Sequence, residues 1–269
     1  RQTRPTPGEA LARRLVPWLG ARPRAALFLD YDGTITPILE HPEEAVLDAR
    51  TVEALELAAA AAHLDVAIVS GRALADLRQR VTVGGVTLVG NHGFEIEGPG
   101  LHWKHPDAAA WHGALDVAAR RLEDMQLPGT WVEHKGSTLS WHLRQMPDEA
   151  RARAIRRGEA VLGRLGLKPV LGKAVLEARP PVDWNKGRAL LHVLRARHGE
   201  RWPLRLRAVY VGDDRTDEDA FLSLQGIGRS IRVGGPDADT AAEETLPDPE
   251  AVVVLVRWLA SGAWLGAER

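Results

Sequence analysis

The sequence predicts an α/β fold, in which a parallel sheet with crossover helices is interrupted by an inserted α+β module. Three observations carry that expectation. Short continuous apolar runs at residues 26–29, 66–69 and 86–89 each end in polar or glycine residues, with helical periodicity between them. That alternation stops at the loop signal Gly98-Pro99-Gly100 and gives way to on the order of 85 residues of different grammar. After Pro180-Pro181 the first pattern resumes with another buried run at 208–211.

The elements follow in order. Residues 1–24 are expected to form an N-terminal extension rich in Pro, Ala and Arg, where Leu11, Leu15 and Leu19 suit one side of a short helix. Residues 25–97 form the first part of the core. Within it, Val52, Leu55, Ala59 and Ala62 give residues 48–62 an apolar helical stripe, and 73–80 is a second helix. The inserted module, 98–181, opens with a helix over 107–125. Strands at 131–135 and 138–144 then flank a Gly136-Ser137 turn. A helix over 148–165 precedes a second hairpin, 168–171 and 175–178, across Gly172-Lys173. In the second of these strands Leu139, Trp141 and Leu143 alternate with polar Thr138, Ser140, His142 and Arg144, so one sheet face packs on helices and the other is polar. Residues 182–269 return to the core, with a helix at 186–197, strands at 208–211 and 230–233, and a last helix. That helix has Asp248 as N-cap and Pro249 at its first position.

Composition excludes several classes of function. Lys plus Arg number 35 against 36 for Asp plus Glu, a net charge of -1, so there is no electrostatic case for nucleic acid and a bound anion needs a local cluster. There is no cysteine, which rules out disulfides and thiolate metal sites and suits a reducing cytoplasm, the expected location. No apolar run approaches the ~20 residues of a membrane span, and no membrane partner is expected.

Chemistry gathers at the strand ends, where open α/β sheets bind ligands. The first apolar run ends in Asp30-Tyr31-Asp32-Gly33-Thr34, and the run at 208–211 ends in Gly212-Asp213-Asp214-Arg215-Thr216-Asp217. Asp-x-Asp-Gly also suits a plain turn, and an acidic run also suits a helix start. Neither reading explains why aspartates directly follow two buried strands. If those strands are neighbours, Asp30, Asp32, Asp213, Asp214 and Asp217 converge and repel one another unless a cation lies among them. An all-oxygen carboxylate site suits Mg²⁺ rather than zinc. Ser70, after the second run, and Lys186, at a helix start, are placed to bind an anion such as a phosphoryl group.

In order and spacing, Asp30-Tyr31-Asp32-Gly33-Thr34, Ser70-Gly71-Arg72, Lys186 and Gly212-Asp213-Asp214-Arg215-Thr216-Asp217 resemble the four motifs of the haloacid dehalogenase superfamily. The longer strings DYDGTITPI (30–38), GNHG (90–93), EARPPVDWNKG (177–187) and GDDRTDEDAF (212–221) are similar to the trehalose-6-phosphate phosphatase family within it. The resemblance runs from Ala25 to the C-terminus, and Ile35 stands where Leu is common in the family. It implies a Rossmann-like core with a C2-type α+β cap. Asp30 would be the nucleophile forming an aspartyl-phosphate, and Asp32 the general acid and then base. Ser70 and Lys186 would hold the phosphoryl oxygens, with Gly33 and Thr34 adding contacts. Mg²⁺ would be held by Asp30, the Asp32 carbonyl and Asp213, with Asp214 and Asp217 in support. The cap's polar face, with Glu133, Lys135, Thr138, His142, Arg144 and Glu177, would meet the sugar, while Arg72, Asn91 and His92 from core strand ends would contact the sugar or the closed cap. Most of the nine Trp residues are expected in packing rather than sugar stacking.

The implied activity is Mg²⁺-dependent hydrolysis of trehalose 6-phosphate by a monomeric chain with a small-molecule substrate, functionally coupled to a trehalose-6-phosphate synthase. The alternatives are the same chemistry on sucrose 6-phosphate or a mannosyl-3-phosphoglycerate, and a non-catalytic phosphosugar sensor.

Overall fold

The computed structural model describes residues 5–39, 42–172, 174–235, 237 and 239–266. Residues 1–4 of the expected extension, Lys173 of the expected hairpin turn and residues 267–269 lie outside the described residues. The chain divides into two compact units, one made of Arg1–Trp103 with Trp184–Arg269, the other of Lys104–Asp183.

The first unit begins with α1 (Pro7–Leu19), β1 (Ala25–Asp30), α2 (Ala49–Ala60), β2 (Leu64–Val69), α3 (Leu74–Arg80), β3 (Thr87–Gly90), β4 (Glu95–Gly98) and β5 (Leu101–Lys104). The second contains α4 (His112–Glu123), β6 (Trp131–His134), β7 (Leu139–His142), α5 (Asp148–Arg164), β8 (Lys168–Gly172) and β9 (Val175–Arg179). The first unit resumes with α6 (Lys186–His198), β10 (Arg207–Gly212), α7 (Glu218–Leu224), β11 (Arg229–Val233), β12 (Glu244–Leu246) and α8 (Pro249–Ser261).

The large sheet has the order β12-β11-β10-β1-β2-β3-β4-β5 and is parallel from β12 to β3. β1 lies near its centre, with all six residues buried. Period-two alternation explains that run. Leu27 and Leu29 join one apolar cluster with Leu11, Leu15 and Leu19 of α1, Leu55 of α2 and Val252, Val256 and Leu259 of α8. Ala26 and Phe28 join the opposite cluster with Leu190 and Leu194 of α6 and Phe221 of α7. Helices cover both faces, so β1 reads as continuous hydrophobic sequence.

The starts of α1, α2 and α8 are capped by side chains. Thr6 and Glu9 form a reciprocal capping box on α1. Asp48 accepts from Thr51 N at 2.7 Å, and Asp248 accepts from Ala251 N at 2.8 Å ahead of Pro249.

Three features differ from expectation. Gly98-Pro99-Gly100 spans the turn between β4 and β5, neighbours in the large sheet, and the second unit starts only at Lys104. The helix expected over 107–125 is divided into a 3-10 turn, Ala108–Trp111, and α4. Asp107 makes no side-chain cap, and the tighter i→i+3 bonds satisfy the first turn instead. Strand β12 is only three residues long, too short for a period-two pattern.

The second unit carries an antiparallel sheet of order β6-β7-β9-β8. Leu139, Trp141, Leu143, Leu176 and Ala178 point to one face and pack with Leu115 and Leu122 of α4 and Ala154 and Leu162 of α5. Gly158 lets α5 approach closely, since a Cβ there would lie 2.8 Å from the Trp141 ring. Among the described residues no helix is long and apolar enough to cross a membrane.

Candidate active site

Because β1 pairs in parallel with β2 on one side and β10 on the other, the ends of all three strands share one edge of the sheet. Register puts Leu29 opposite Val211, so Asp30 and the loop after Gly212 are neighbours. The aspartates expected to converge therefore have a backbone reason to do so. Oxygens of Asp30, Asp213 and Asp217 lie within 4.8 Å of one another.

Lys186, the first residue of α6, is buried at this edge. Its Nζ donates to Asp30 Oδ1 at 2.7 Å and to Asp217 Oδ1 at 2.8 Å. Asn185 caps the helix by accepting from Arg188 N at 2.9 Å. Burial opposes the ammonium charge, but Asp217 and Asp30 outweigh it and hold the Lys186 pKa well above its ordinary value.

Asp217 is fully buried and accepts four hydrogen bonds. Lys186 Nζ and Tyr210 Oη (2.7 Å) reach Oδ1, while Asp213 N (3.0 Å) and Asp214 N (3.1 Å) reach Oδ2. These bonds use the roughly four lone-pair sites a carboxylate offers. Asp217 thus shapes the loop after β10 and orients Lys186. Asp214 Oδ1 accepts from Thr216 N (2.8 Å) and Thr216 Oγ1 (2.7 Å).

Asp213 is different. Its Oδ1 is buried with no hydrogen-bond partner. Burial, with the charges of Asp217 and Asp214, pushes its pKa up to about 7, and burial followed by Asp217 pushes Asp30 well above the carboxylate range. An orphaned carboxylate oxygen beside a second carboxylate, in a site of oxygen donors, fits a hard divalent cation.

Gly33 permits this closeness. Its φ is +84°, and a Cβ there would sit 2.1 Å from Asp213 Oδ2. Thr34 is buried, with its hydroxyl 3.5 Å from Asp30 Oδ2. Ser70 is buried after β2 and its Oγ accepts from Arg72 N at 3.1 Å. Asp32 is met by the Arg72 guanidinium, with Nε 2.8 Å from Oδ2 and Nη2 2.6 Å from Oδ1. Asn91 and His92, both buried and both at positive φ, are tied to the loop after β2 through Asn91 N to Arg72 O (2.7 Å) and His92 N to Ser70 O (3.0 Å). Asn91 Nδ2 also donates to the buried Glu95 carboxylate.

In the second unit, register places Glu133 opposite Ser140 and Ser140 opposite Glu177, in one row across the polar face. His142 Nε2 lies 2.9 Å from Glu133 Oε2 and its ring stacks on Trp131 at 3.7 Å. Arg179 Nε donates to Glu177 at 2.9 Å. Thr138 is buried at the turn, where its carbonyl accepts from Lys135 N at 2.9 Å. Arg144 is exposed beyond the end of β7, off the sheet. Glu133, His142 and Glu177 thus share the polar face of the sheet.

Sequence reasoning missed Tyr210, Trp131 and Arg179, and placed Ser140 on the polar face without naming it as a contact. Tyr210 alternates with Ala208 in a buried strand and reads as core, although a hydroxyl two residues before a strand end needs a partner. Trp131, Ser140 and Arg179 fall on the polar face by the alternation already visible in β7.

Known proteins share this architecture. A haloacid dehalogenase-like hydrolase from B. subtilis superposes with a TM-score of 0.58 at 13% identity, over 86% of this chain and 98% of that one, a likeness of fold. The crystal structure of Aspergillus fumigatus trehalose-6-phosphate phosphatase matches with a TM-score of 0.67 at 26% identity, over 94% of this chain and 98% of that one. A trehalose-phosphate phosphatase of Mycobacterium marinum is 39% identical over 245 residues, 89% of this chain. The match spans 62% of that protein's own length. The family model described as trehalose-phosphatase matches residues 28–242, which include Asp30, Ser70, Lys186 and Asp213, and the chain belongs to that family.

Proposed function

We propose that the chain is a Mg²⁺-dependent phosphatase that hydrolyses trehalose 6-phosphate to trehalose and phosphate through an aspartyl-phosphate on Asp30. The observation that carries this reading is the Asp30 carboxylate itself, buried at a strand end, held by Lys186 at 2.7 Å and beside the unpartnered Asp213 oxygen. A pure binder has no need for a buried nucleophile at that point.

Asp30 attacks phosphorus in line, and the bond from phosphorus to the sugar oxygen breaks as Asp32 gives that oxygen a proton. The ionised Asp32 then takes a proton from the water that attacks phosphorus and frees Asp30. Lys186 and Ser70 hold the phosphoryl oxygens during both transfers. Asp30, the Asp32 carbonyl and Asp213 would hold Mg²⁺, with Asp214 and Asp217 in support, and the ion would supply positive charge against which one anion can approach another. In the second unit, Glu133, Lys135, Thr138, His142 and Glu177 offer carboxylate, ammonium, hydroxyl and imidazole groups suited to a sugar rich in hydroxyls, with Arg144, Asn91 and His92 as further contacts. The proposal includes a monomeric, cytoplasmic chain working beside a trehalose-6-phosphate synthase.

The test is phosphate release, with and without Mg²⁺, from trehalose 6-phosphate, sucrose 6-phosphate, glucose 6-phosphate and a mannosyl-3-phosphoglycerate. Metal-dependent preference for the first is expected. Preference for another keeps the Asp30 chemistry and reassigns the sugar; turnover of none points to a sensor.

A further inference from the structure

We infer that Arg72 is a positioning residue for Asp32, rather than a ligand of the sugar, and that Asp76 sets Arg72 in turn; the inference rests on the phosphatase reading above. The guanidinium meets Asp32 edge to edge through Nε (2.8 Å) and Nη2 (2.6 Å), and its Nη1 donates to Asp76 Oδ2 at 2.9 Å. Asp76 is itself fixed, since Arg80 Nε donates to its Oδ1 at 2.8 Å. Arg80 Nη1 reaches the carbonyls of Ala45 (2.8 Å) and Glu43 (3.1 Å), and Tyr31 Oη donates to the same Ala45 carbonyl at 2.9 Å. The Arg72 guanidinium also lies over the Tyr31 ring, 5.4 Å from its centroid. The side chain of Arg72 is 12% exposed against 42% for Asp32, so the fork is the embedded partner and the carboxylate the accessible one.

The consequence is geometric. Asp32 stands beyond the end of β1, in a turn where a lone carboxylate has several rotamers. A planar fork that meets both of its oxygens fixes the position and plane of the carboxylate, which a point charge cannot do. The fork is aimed by α3 through Asp76 and Arg80, and α3 is anchored to the loop after β1 through Glu43 and Ala45. One closed circuit therefore joins the segment that carries the nucleophile to the segment that orients the acid. A sugar hydroxyl would have to compete with two carboxylates for the same guanidinium.

The experiment compares wild type, Arg72→Lys and Asp76→Ala on trehalose 6-phosphate, butyl phosphate and p-nitrophenyl phosphate, reading kcat and KM separately. The first two release an alkoxide that needs a proton; the third releases a stable phenolate that does not. A positioned general acid contributes roughly 10²- to 10⁴-fold, so Arg72→Lys is expected to lower kcat/KM on both alkyl phosphates by roughly 10- to 100-fold, mainly in kcat, and on the aryl phosphate by less than about threefold. Asp76→Ala, which removes no contact to Asp32, follows the same pattern at smaller size. A loss on trehalose 6-phosphate alone, carried by KM, makes Arg72 a sugar ligand and overturns the inference. An equal loss on all three substrates makes it scaffold and also overturns it. If wild-type enzyme releases phosphate from none of the three, the phosphatase reading fails, and this inference with it.

Discussion

Lys186 Nζ lies 2.7 Å from Asp30 Oδ1, although the two residues are 156 positions apart in the chain. Both are buried, and the same ammonium bridges to Asp217 at 2.8 Å. One cation between two carboxylates in a low-dielectric site is a structural joint, and the proposed function gives it a second role as the charge that binds phosphate.

Removing it should expose that double role. Lys186→Met leaves Asp30 and Asp217 facing each other without their shared cation. Breaking a buried pair costs about 3–5 kcal/mol, so unfolding in urea is expected to shift to lower denaturant with turnover lost. Lys186→Arg keeps the charge but places a planar fork where a compact ammonium fits, and it should not restore turnover.

Gly33 gives a more local test. Gly33→Ala puts a methyl on the Asp213 carboxylate at a backbone φ of +84°, so the carboxylate must move. Magnesium titrated calorimetrically is expected to bind at least about tenfold more weakly, the size of effect seen when the support of a metal site is disturbed. Gly136→Ala is the control. Its φ is +81° with nothing within 4 Å of the added Cβ, so it should cost about 1 kcal/mol of stability and leave metal affinity unchanged.

How far these relationships were legible in the sequence depends on what each rests on. β1 was readable because burial on both faces leaves a continuous apolar run, and its Asp30 because a charge directly after such a run is unusual. The approach of Asp30 to Asp213 followed once β1 and β10 were taken as neighbours, which register bears out. The partners of those groups were not readable. Tyr210 looks like any aromatic in a buried strand, and nothing in spacing says that its hydroxyl meets Asp217. The contact of Arg72 with Asp32 was not readable either, because the partner of a guanidinium depends on which carboxylates the fold brings within reach. Gly98-Pro99-Gly100 read as a junction because hairpin turns and domain junctions draw on the same residue types, Gly and Pro.

Away from the site, Asp65 of β2 is a stability group with a defined pH window. His198 Nε2 (2.9 Å) and Arg197 Nη2 (3.3 Å) of α6 and Arg24 Nη2 (3.3 Å), ahead of β1, surround its carboxylate. Burial works to raise its pKa, but the His198 hydrogen bond and these charges outweigh it and lower the pKa from 3.8 to about 2. A depressed carboxylate stabilises the fold above its unfolded pKa and loses that contribution as pH falls through the folded value. Asp65→Asn should therefore cost about 2 kcal/mol at pH 7, with the gap to wild type closing between about pH 4 and pH 2. Urea unfolding across that range reads the difference, and a gap independent of pH would speak against the pairing.

The central claim is that Asp30 is the nucleophile, and the most direct measurement is phosphate release from trehalose 6-phosphate by wild type and Asp30→Asn, in Mg²⁺, with both proteins shown folded by thermal denaturation. The account expects metal-dependent release by wild type and a loss of at least about 10⁴-fold in Asp30→Asn, since an amide cannot accept the phosphoryl group. Turnover by Asp30→Asn within about tenfold of wild type would contradict it, because the reaction would then pass through some other group.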